Sequence, residues 1–401
     1  MTDLPVALEE FVRIPGCGGE LGVYEGLLSL SCDRGMVEAS GRVYYSFAEK
    51  VELLFEGEGE DALFDWVGEK VRLEAGDAFL GNALVLGIRG KQVNGTVFSF
   101  ETKTPAPCER WRWCYLNAAR SHGDPVLRGR SLSMDRLVFQ DGGYKIILEN
   151  KAGYQQQKQH REISHYCELK HQDGSPAPLQ EALEEISLFS RFVSFFDGCQ
   201  HAPFFIEGLV DDKVQAVYNS VGDDNSLTGV SSWKPDFKDK DLVPLWHLFR
   251  SKYKESSDQA DVLNTVVHWY LQANMNKGLL EGAFILGFTG FELLSNEIVG
   301  KELGNEDLIE DLVSRLQLKL DLEAREIARM RNYLVHYKNE QRRRTYNSLT
   351  EEEKVNRLEH VLLILELSIL YWLGYEGHYA NRLHPGWRGE NVARVPWKID
   401  S

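Results

Sequence analysis

The chain has 401 residues, with 61 aspartates and glutamates against 45 lysines and arginines, and a formal net charge of −16 at pH 7. Its 43% of hydrophobic and 26% of charged residues are typical of a soluble globular protein, and its length allows two domains. This acidic balance excludes a protein that coats nucleic acid non-specifically, but it leaves room for one local basic site.

The sequence contains no segment typical of targeting or membrane insertion. Met1–Pro5 has neither the basic nor the apolar region of a signal peptide. The longest apolar run, Val361–Gly374, is interrupted by Glu366 and is too short to span a bilayer, so we predict a buried helix there. The six cysteines form no C-x-x-C pair, which argues against a zinc knuckle or a redox motif. We therefore expect a cytoplasmic protein with reduced thiols, no metal and no cofactor.

Proline placement divides the chain into two parts. All 12 prolines lie at or before Pro244 or at or after Pro385, and the segment between them favours long helices. The first part has short apolar stretches with frequent turns, which are typical of a sandwich or a barrel-like sheet. We predict an α+β multidomain protein, with a β-rich, sandwich-like domain over 1–235, an all-α domain over 241–375 and an irregular tail over 376–401.

Several elements of the first part follow from local patterns. Strands are predicted over 22–30, 42–47, 51–55, 82–88, 97–100, 137–139 and 144–148. Turn signals at Asn94-Gly95, at Asp141 to Gly143 and at Asp211-Asp212 predict three hairpins. A helix is predicted over 179–196 from its apolar spacing, and the polar stretch 221–240 is predicted to be a linker or an exposed loop.

Aromatic residues alternate in one further segment of the first part. Trp111, Trp113 and Tyr115 would lie on one face of a strand, with Arg112 on the other face. Two interpretations are open, a ligand-binding surface or a buried strand face. We favour the buried face, because aromatic strand faces are commonly part of a core.

The second part predicts an all-α bundle. Helices are predicted over 241–254, 258–275, 278–299, 306–340 and 351–373. Asn305 is expected to cap the fourth helix, and Thr350 with Glu353 forms a capping box for the fifth. Gly374 is expected to end the fifth helix.

A basic segment within the predicted fourth helix contrasts with the acidic chain. Between Arg325 and Arg344 there are seven basic and two acidic residues, a net charge of +5. The basic residues are Arg325, Arg329, Arg331, Lys338, Arg342, Arg343 and Arg344. The predicted core stripe of this helix is Ile327, Met330, Leu334 and Tyr337. A second, basic stripe is Arg325, Arg329, Asn332, His336 and Arg343, and we expect it to meet something anionic.

Arg331 and His336 in this segment provide groups for phosphodiester cleavage without a metal. Arginine can hold two phosphate oxygens, histidine can transfer a proton at neutral pH, and RNA supplies its own 2′-hydroxyl nucleophile. On one helix the two residues are about 140° apart, so two copies meeting across a two-fold axis would bring them together more easily. The alternatives are a packed histidine at a spacing that occurs by chance, and a solvated helix end at 342–344.

The run Arg331-Asn332-Tyr333-Leu334-Val335-His336 matches the R-N-x-x-x-H motif of a known family. Phe291–Leu294 matches its apolar-Glu-Leu-Leu segment, and Val267–Asn274 matches its W-Y-x-x-A-N segment. Through these residues the chain resembles the HEPN superfamily, specifically the Apea-like HEPN proteins of bacteria. The resemblance covers about 240–375. In the first part it is looser and rests on Phe192–Phe196 with Gly198.

The resemblance implies a metal-independent endoribonuclease that works as a homodimer, since HEPN proteins of this kind are typically such enzymes. Several of them are toxins or abortive anti-phage effectors. Arg331 and His336 would be the catalytic pair, Asn332 would orient His336 or the phosphate, and Glu292 would be the acidic partner or else a structural glutamate. One HEPN subgroup needs a tyrosine where this chain has Lys338, so its tyrosine-modification chemistry is not carried over.

Three hypotheses follow for the function. The first is an endoribonuclease with a β-rich sensing or regulatory domain that receives a phage-derived trigger. In it His336 is the general acid/base, Arg331 is the phosphate clamp, and the other basic residues of the segment bind RNA. The second is a non-catalytic RNA- or nucleotide-binding module, for which salt-sensitive binding without products would be diagnostic. The third is a dimeric interaction protein that ignores RNA.

Overall fold

A computed structural model describes residues 5–8, 19–47, 51–59, 66–89, 91–153, 163–220, 232–275, 279–300, 303–336, 338, 340–384 and 389–397. The chain divides into two compact units, Met1–Ser190 with His201–Thr228 and Arg191–Gln200 with Gly229–Ser401. The first unit is rich in β-strands and the second in helices, so the chain has the predicted α+β layout. Most of the predicted linker, 221–231, lies outside the described residues.

The first unit contains thirteen described strands in one antiparallel sheet. They are β1 Glu20–Cys32, β2 Gly35–Phe47, β3 Val51–Gly59, β4 Lys70–Ala75, β5 Phe79–Arg89, β6 Gln92–Thr102, β7 Arg110–Leu116, β8 Asp124–Arg128, β9 Ser131–Asp141, β10 Tyr144–Asn150, β11 Ile163–His171, β12 Phe204–Val210 and β13 Lys213–Ser220. Their order is β3-β2-β1-β4-β5-β6-β13-β12-β7-β11-β10-β9-β8, and β3 also pairs with β6. Strands β1 to β6 therefore close into a six-stranded barrel, and the other seven continue as an open sheet.

Strand β6 joins the barrel to the open sheet by pairing along two different stretches. Residues 92–96 pair with β3 and close the barrel, whereas residues 99–101 pair with β13. The barrel interior is filled by buried side chains that alternate along the strands, among them Leu28, Leu30, Val43 and Leu53. Closure leaves these strands without free edges, so of the two predicted forms the barrel-like sheet is found in β1 to β6 and the sandwich is not.

Two of the three predicted hairpin turns are confirmed and one is wrong. Gly142 and Gly143, with φ of 58° and 84°, connect β9 to β10, and Asp211-Asp212 connects β12 to β13. Asn94 and Gly95 instead lie inside β6. A Cβ at Gly95 would overlap the Leu84 carbonyl oxygen and the Phe55 ring, so this glycine allows close packing in the barrel wall.

The aromatic alternation on β7 is a buried strand face, as we favoured from the sequence. Trp111, Trp113 and Tyr115 are all at most 1% exposed. Arg112 points to the other face and is also buried. Its charge is paired there, since Nε donates to Glu168 Oε2 on β11 at 3.0 Å. Strand β7 is thus covered on both sides, and the ligand-surface interpretation is wrong.

Glu207 on β12 lies opposite Arg112 on β7. Burial raises the pKa of the Glu207 carboxyl from 4.5 to about 7, and the attraction of Arg112 offsets part of this rise. In the unfolded chain the carboxyl has its ordinary pKa, so the folded state binds the proton more tightly than the unfolded state does. The contribution of Glu207 to stability is therefore full below about pH 4.5 and is lost as the pH rises from 4.5 to 7.

We expect Glu207→Gln to raise the free energy of unfolding, relative to the wild type, by about 3 kcal/mol above pH 7 and by little near pH 4. The glutamine amide stays neutral, so it avoids the cost of a buried carboxylate. Urea unfolding at pH 4, 6 and 8 measures the difference, and the exposed Glu58→Gln serves as the control. A Glu207→Gln effect that is constant across this pH range would contradict the assignment.

Eight helices are described in the chain. They are α1 Leu179–Asp197, α2 Leu242–Glu255, α3 Ser257–Met275, α4 Leu280–Val299, α5 Asn305–Arg315, α6 Ala324–Val335, α7 Glu340–Ser348 and α8 Glu351–Trp372. Two short strands, β14 His378–Ala380 and β15 Val392–Arg394, pair antiparallel. The predicted irregular tail is therefore wrong in part, because pairing between residues 12 to 16 positions apart is not visible in a local pattern.

The predicted ends of α8 are confirmed, and the predicted cap of α5 is wrong. Thr350 Oγ1 accepts from the Glu353 N–H, and the Glu353 carboxylate accepts from the Thr350 N–H, which completes the capping box. Gly374, with φ of 77°, follows the last turn of α8. The N-cap of α5 is Gly304, and Asn305 is already helical.

The predicted fourth helix, 306–340, is wrong as one continuous helix. It is divided into α5 and α6, and α7 begins after α6 has ended. Residues 317–323 alternate polar and apolar side chains, a period that does not suit a helix. Asp321 in this break contacts His360 Nε2 on α8 at 2.6 Å, and His360 Nδ1 contacts the Asn356 carbonyl oxygen. These contacts hold the break against α8.

Helix α4 lies within the packed helical unit. By length and composition it is the one described helix that is apolar enough to cross a membrane, and 44% of that stretch is buried in the protein. It packs against α3 and α8, as core helices of this composition do.

The five cysteines in the described part of the chain, Cys32, Cys108, Cys114, Cys167 and Cys199, are free.

Candidate functional site

Helix α6 contains Arg331 and Asn332 of the R-N-x-x-x-H motif, and His336 follows its last residue. Its Ile327 and Met330 are buried, as predicted for the core stripe, whereas Leu334 is half-buried. Tyr337, the fourth member of that predicted stripe, lies outside the described residues. Because the core face of α6 is fixed by these apolar contacts, the remaining residues of the helix are held at defined positions on its other sides.

Arg331 on α6 pairs with Glu292 on α4. Arg331 Nη2 lies 3.3 Å from Glu292 Oε1, and the two side chains are 26% and 31% exposed. Helices α4 and α6 contact each other, although 39 residues separate this pair in the sequence. The structure therefore brings together the arginine and the acidic residue that the family resemblance had placed at one site.

His336 ends α6 and is not within a continuing helix. Its φ of −109° and ψ of 38° are non-helical, and its backbone N–H donates to the Asn332 carbonyl oxygen at 3.1 Å. The side chain is exposed, and Asn332 is half-buried one turn earlier. Because the His336 N–H still makes the i to i−4 hydrogen bond, the His336 Cα stays on the helix and lies about 140° around the axis from Arg331.

The basic residues of the segment differ in what they contact. Arg325 pairs with Glu323, and Arg344 pairs with Glu340 one turn earlier. Arg342 is half-buried. Three other cations are exposed and have no hydrogen-bond or ion-pair partner among the described residues, namely Arg329, Lys338 and Arg343. We call these three residues together with His336 the exposed basic surface.

Contacts that the sequence did not predict fix α7, which carries Arg342 to Arg344. Tyr346 is buried, and its hydroxyl donates to Glu281 on α4, so this hydrogen bond lowers the pKa of the Glu281 carboxyl. Lys354 Nζ on α8 lies 4.7 Å from the centre of the Tyr346 ring. A single tyrosine in a polar helix is the only sequence signal for this anchor.

Chemically, this arrangement offers a guanidinium that can exchange a carboxylate for a phosphate, and an exposed imidazole five residues further on, about 140° around the helix axis. A phosphate that displaces Glu292 would gain a bidentate contact with Arg331. The neutral imidazole of His336 can accept a proton and its cation can donate one. Asn332 lies between these two groups in the sequence and offers both a donor and an acceptor.

Comparisons with known proteins match two parts of the chain to family models, both of them for domains of YopA. Residues 104–226 match the family model described as the YopA central domain, and residues 320–393 match that of the YopA C-terminal domain. A relative from Bacillus subtilis (strain 168), described as "SPbeta prophage-derived uncharacterized protein YopA", is 23% identical, and the alignment covers 98% of each chain. No solved structure matches the chain.

The two matched regions cover the open sheet and the helices from α6 to α8. The first covers β7 to β13 of the open sheet, and the second covers α6, α7, α8 and the strand β14. Arg331, Asn332 and His336 therefore lie inside the second matched region, and Glu292 lies before it.

Proposed function

We propose that this chain is a metal-independent endoribonuclease of the HEPN type. The observation that carries the proposal is the ion pair of Arg331 with Glu292 across α4 and α6, five residues before an exposed histidine at the end of the same helix. In the proposed mechanism Arg331 clamps the scissile phosphate and His336 transfers the proton as the RNA 2′-hydroxyl attacks. Asn332 orients His336 or the phosphate.

The products of this mechanism have a defined chemistry. Attack by the 2′-hydroxyl forms a bond to phosphorus and breaks the bond to the 5′-oxygen of the next nucleotide. One fragment then ends in a 2′,3′-cyclic phosphate and the other begins with a 5′-hydroxyl. The exposed cations Arg329, Lys338 and Arg343, with Arg325, Arg342 and Arg344, bind the flanking RNA phosphates.

The biological setting is part of the same proposal. We propose a cytoplasmic homodimer formed through the helical unit, in which two copies of α6 contribute to each site. The β-rich unit would sense a phage-derived trigger, and cleavage of RNA would serve as a toxin or as an effector against phage. The relative described as prophage-derived is compatible with this setting.

The test is incubation of the purified full chain with total bacterial RNA in EDTA, followed by analysis of the fragment ends. We expect fragments with 2′,3′-cyclic phosphate and 5′-hydroxyl ends. Cleavage that requires a divalent cation, or that leaves 3′-hydroxyl ends, would contradict the mechanism. Binding of RNA that weakens with salt but gives no fragments would favour the second candidate below.

A non-catalytic RNA-binding module is the second candidate, and one contact favours it. Arg331 is already paired with Glu292, so a phosphate must compete with an internal carboxylate for the guanidinium. Glu292→Gln removes this competitor. We expect the variant to bind RNA more tightly under either candidate, whereas only the enzyme would lose cleavage when His336 is replaced.

A further inference from the structure

A cavity lies in the helical unit, and its lining does not include Arg331 or the exposed basic surface. Its volume is about 640 Å³, within the range of small-molecule sites in proteins. The start of α2 contributes one wall, and the turn that follows α8 together with β15 contributes the rest. The lining residues are Asp241, Pro244, His247, Leu248, Gly374, Tyr375, Glu376, Gly377, His378 and Arg394.

The polar centre of this cavity is a histidine held by an aspartate. Asp241 Oδ2 lies 2.7 Å from His378 Nδ1, and the same oxygen accepts the His378 backbone N–H at 3.0 Å. A carboxylate only accepts hydrogen bonds, so the neutral His378 ring carries its proton on Nδ1. Nε2 then has a free lone pair, and among the described residues it has no hydrogen-bond partner.

The turn that presents His378 is fixed before any ligand arrives. The buried Tyr375 hydroxyl donates to the His378 carbonyl oxygen at 2.8 Å, and the Tyr375 carbonyl accepts from Trp397 Nε1 at 2.9 Å. Gly377 has no room for a side chain, since a Cβ there would overlap the Tyr375 hydroxyl. Such contacts reduce the conformational freedom that binding would otherwise remove.

The charges of the lining residues restrict the class of ligand. Apart from the two histidines, the lining has the two carboxylates of Asp241 and Glu376 and the single guanidinium of Arg394, a net charge of −1. This charge disfavours an anion. Pro244 and Leu248 add apolar surface on the α2 side.

We propose that this cavity binds a small uncharged molecule with an apolar body and a hydroxyl or ring N–H, which donates a hydrogen bond to His378 Nε2. In the neutral ring the only proton lies on Nδ1, so Nε2 is an acceptor and the ligand supplies the donor. Asp241 is thus a positioning residue, which sets the tautomer of the group that contacts the ligand.

Three probes of similar shape test the proposal on the full chain. Phenol offers a hydroxyl donor, anisole replaces that donor with a methyl ether, and benzoate carries a negative charge. Binding is measured by ligand-observed NMR up to concentrations on the order of 10 mM, suited to the weak affinity of such small ligands. The ring nitrogen shifts of His378 are recorded in the same titrations.

We expect phenol to bind about tenfold more tightly than anisole, a difference of about 1.4 kcal/mol, and benzoate to bind more weakly than phenol. The Nε2 shift of His378 should move with phenol alone. His378→Leu should abolish the preference for phenol, and the exposed His268→Leu on α3 should keep it. Equal affinities for phenol and anisole in the wild type, tighter binding of benzoate, or no binding of any probe would overturn the proposal.

Discussion

Replacement of His336 by alanine is expected to slow RNA cleavage by about 10²–10⁴-fold, the usual contribution of a general acid/base. The wild-type imidazole would transfer a proton at the attacking or leaving oxygen, and alanine cannot. His336 is exposed at the end of α6, so we expect the free energy of unfolding to change by less than about 0.5 kcal/mol. Single-turnover cleavage of a defined RNA in EDTA measures the effect.

The matched control for this prediction is His268→Ala, an exposed histidine on α3. It should cleave RNA at the wild-type rate. The His336→Ala protein should also bind RNA nearly as well as the wild type, because Arg331, Arg329 and Arg343 remain. Cleavage that persists unchanged in His336→Ala would remove the histidine from the mechanism. Loss of binding together with cleavage would assign it to RNA contact.

Replacement of Arg382 by methionine is expected to lower the free energy of unfolding by about 3–5 kcal/mol. Arg382 lies after α8, its side chain is 1% exposed, and its guanidinium pairs with the fully buried Glu366 and with Glu359 at 2.9 Å. It also donates to Asn274 Oδ1 on α3 at 3.2 Å. Methionine would leave the Glu366 carboxylate buried without its cation.

The pKa shifts in this cluster have the same origin. Burial by itself lowers the pKa of Arg382, but the attraction of Glu366 outweighs it and raises the pKa. The Tyr270 hydroxyl donates to Glu366 Oε1 at 2.7 Å, and burial with the nearby carboxylate raises its pKa. Both groups therefore keep their protons throughout the usual pH range, and the cluster stays an ionic network.

Urea unfolding measures the Arg382→Met prediction, with the exposed Arg394→Met as the control. A second variant, Arg382→Met with Glu366→Gln, separates two causes of the loss. If the unpaired carboxylate is the cause, the double variant should recover a large part of the lost stability. A loss below about 1 kcal/mol in the single variant, comparable to a surface pair, would show that the network contributes little.

Sequence patterns predicted the local elements of this protein well. The hairpin turn at Gly142-Gly143, the capping box of Thr350 with Glu353 and the helix end at Gly374 are all confirmed. Each depends on residues within about four positions of one another, where backbone preference and short-range hydrogen bonds decide the structure. The buried aromatic face of β7 was predicted for a similar reason, because its alternation is local.

The errors occur where distant parts of the chain compete with local preference. Asn94-Gly95 is a strong turn signal, but pairing with β3 and β5 places it inside a strand of the barrel. Tertiary pairing there outweighs a turn propensity of about 1 kcal/mol per residue. The predicted helix over 306–340 was wrong for a partly local reason, because 317–323 alternate polar and apolar residues, and the contact of Asp321 with His360 on α8 then holds that break.

The sequence by itself determined that this protein has a β-rich first part, a helical second part and one basic segment in an acidic chain. Composition, proline placement and periodicity are sufficient for this, since they act along the chain. Only the tertiary structure decided that β3 pairs with β6 to close a barrel, and that Glu292 meets Arg331. It alone also placed Asp241 against His378, 137 residues away. Such pairings depend on which buried surfaces fit together in three dimensions, and no local pattern encodes that fit.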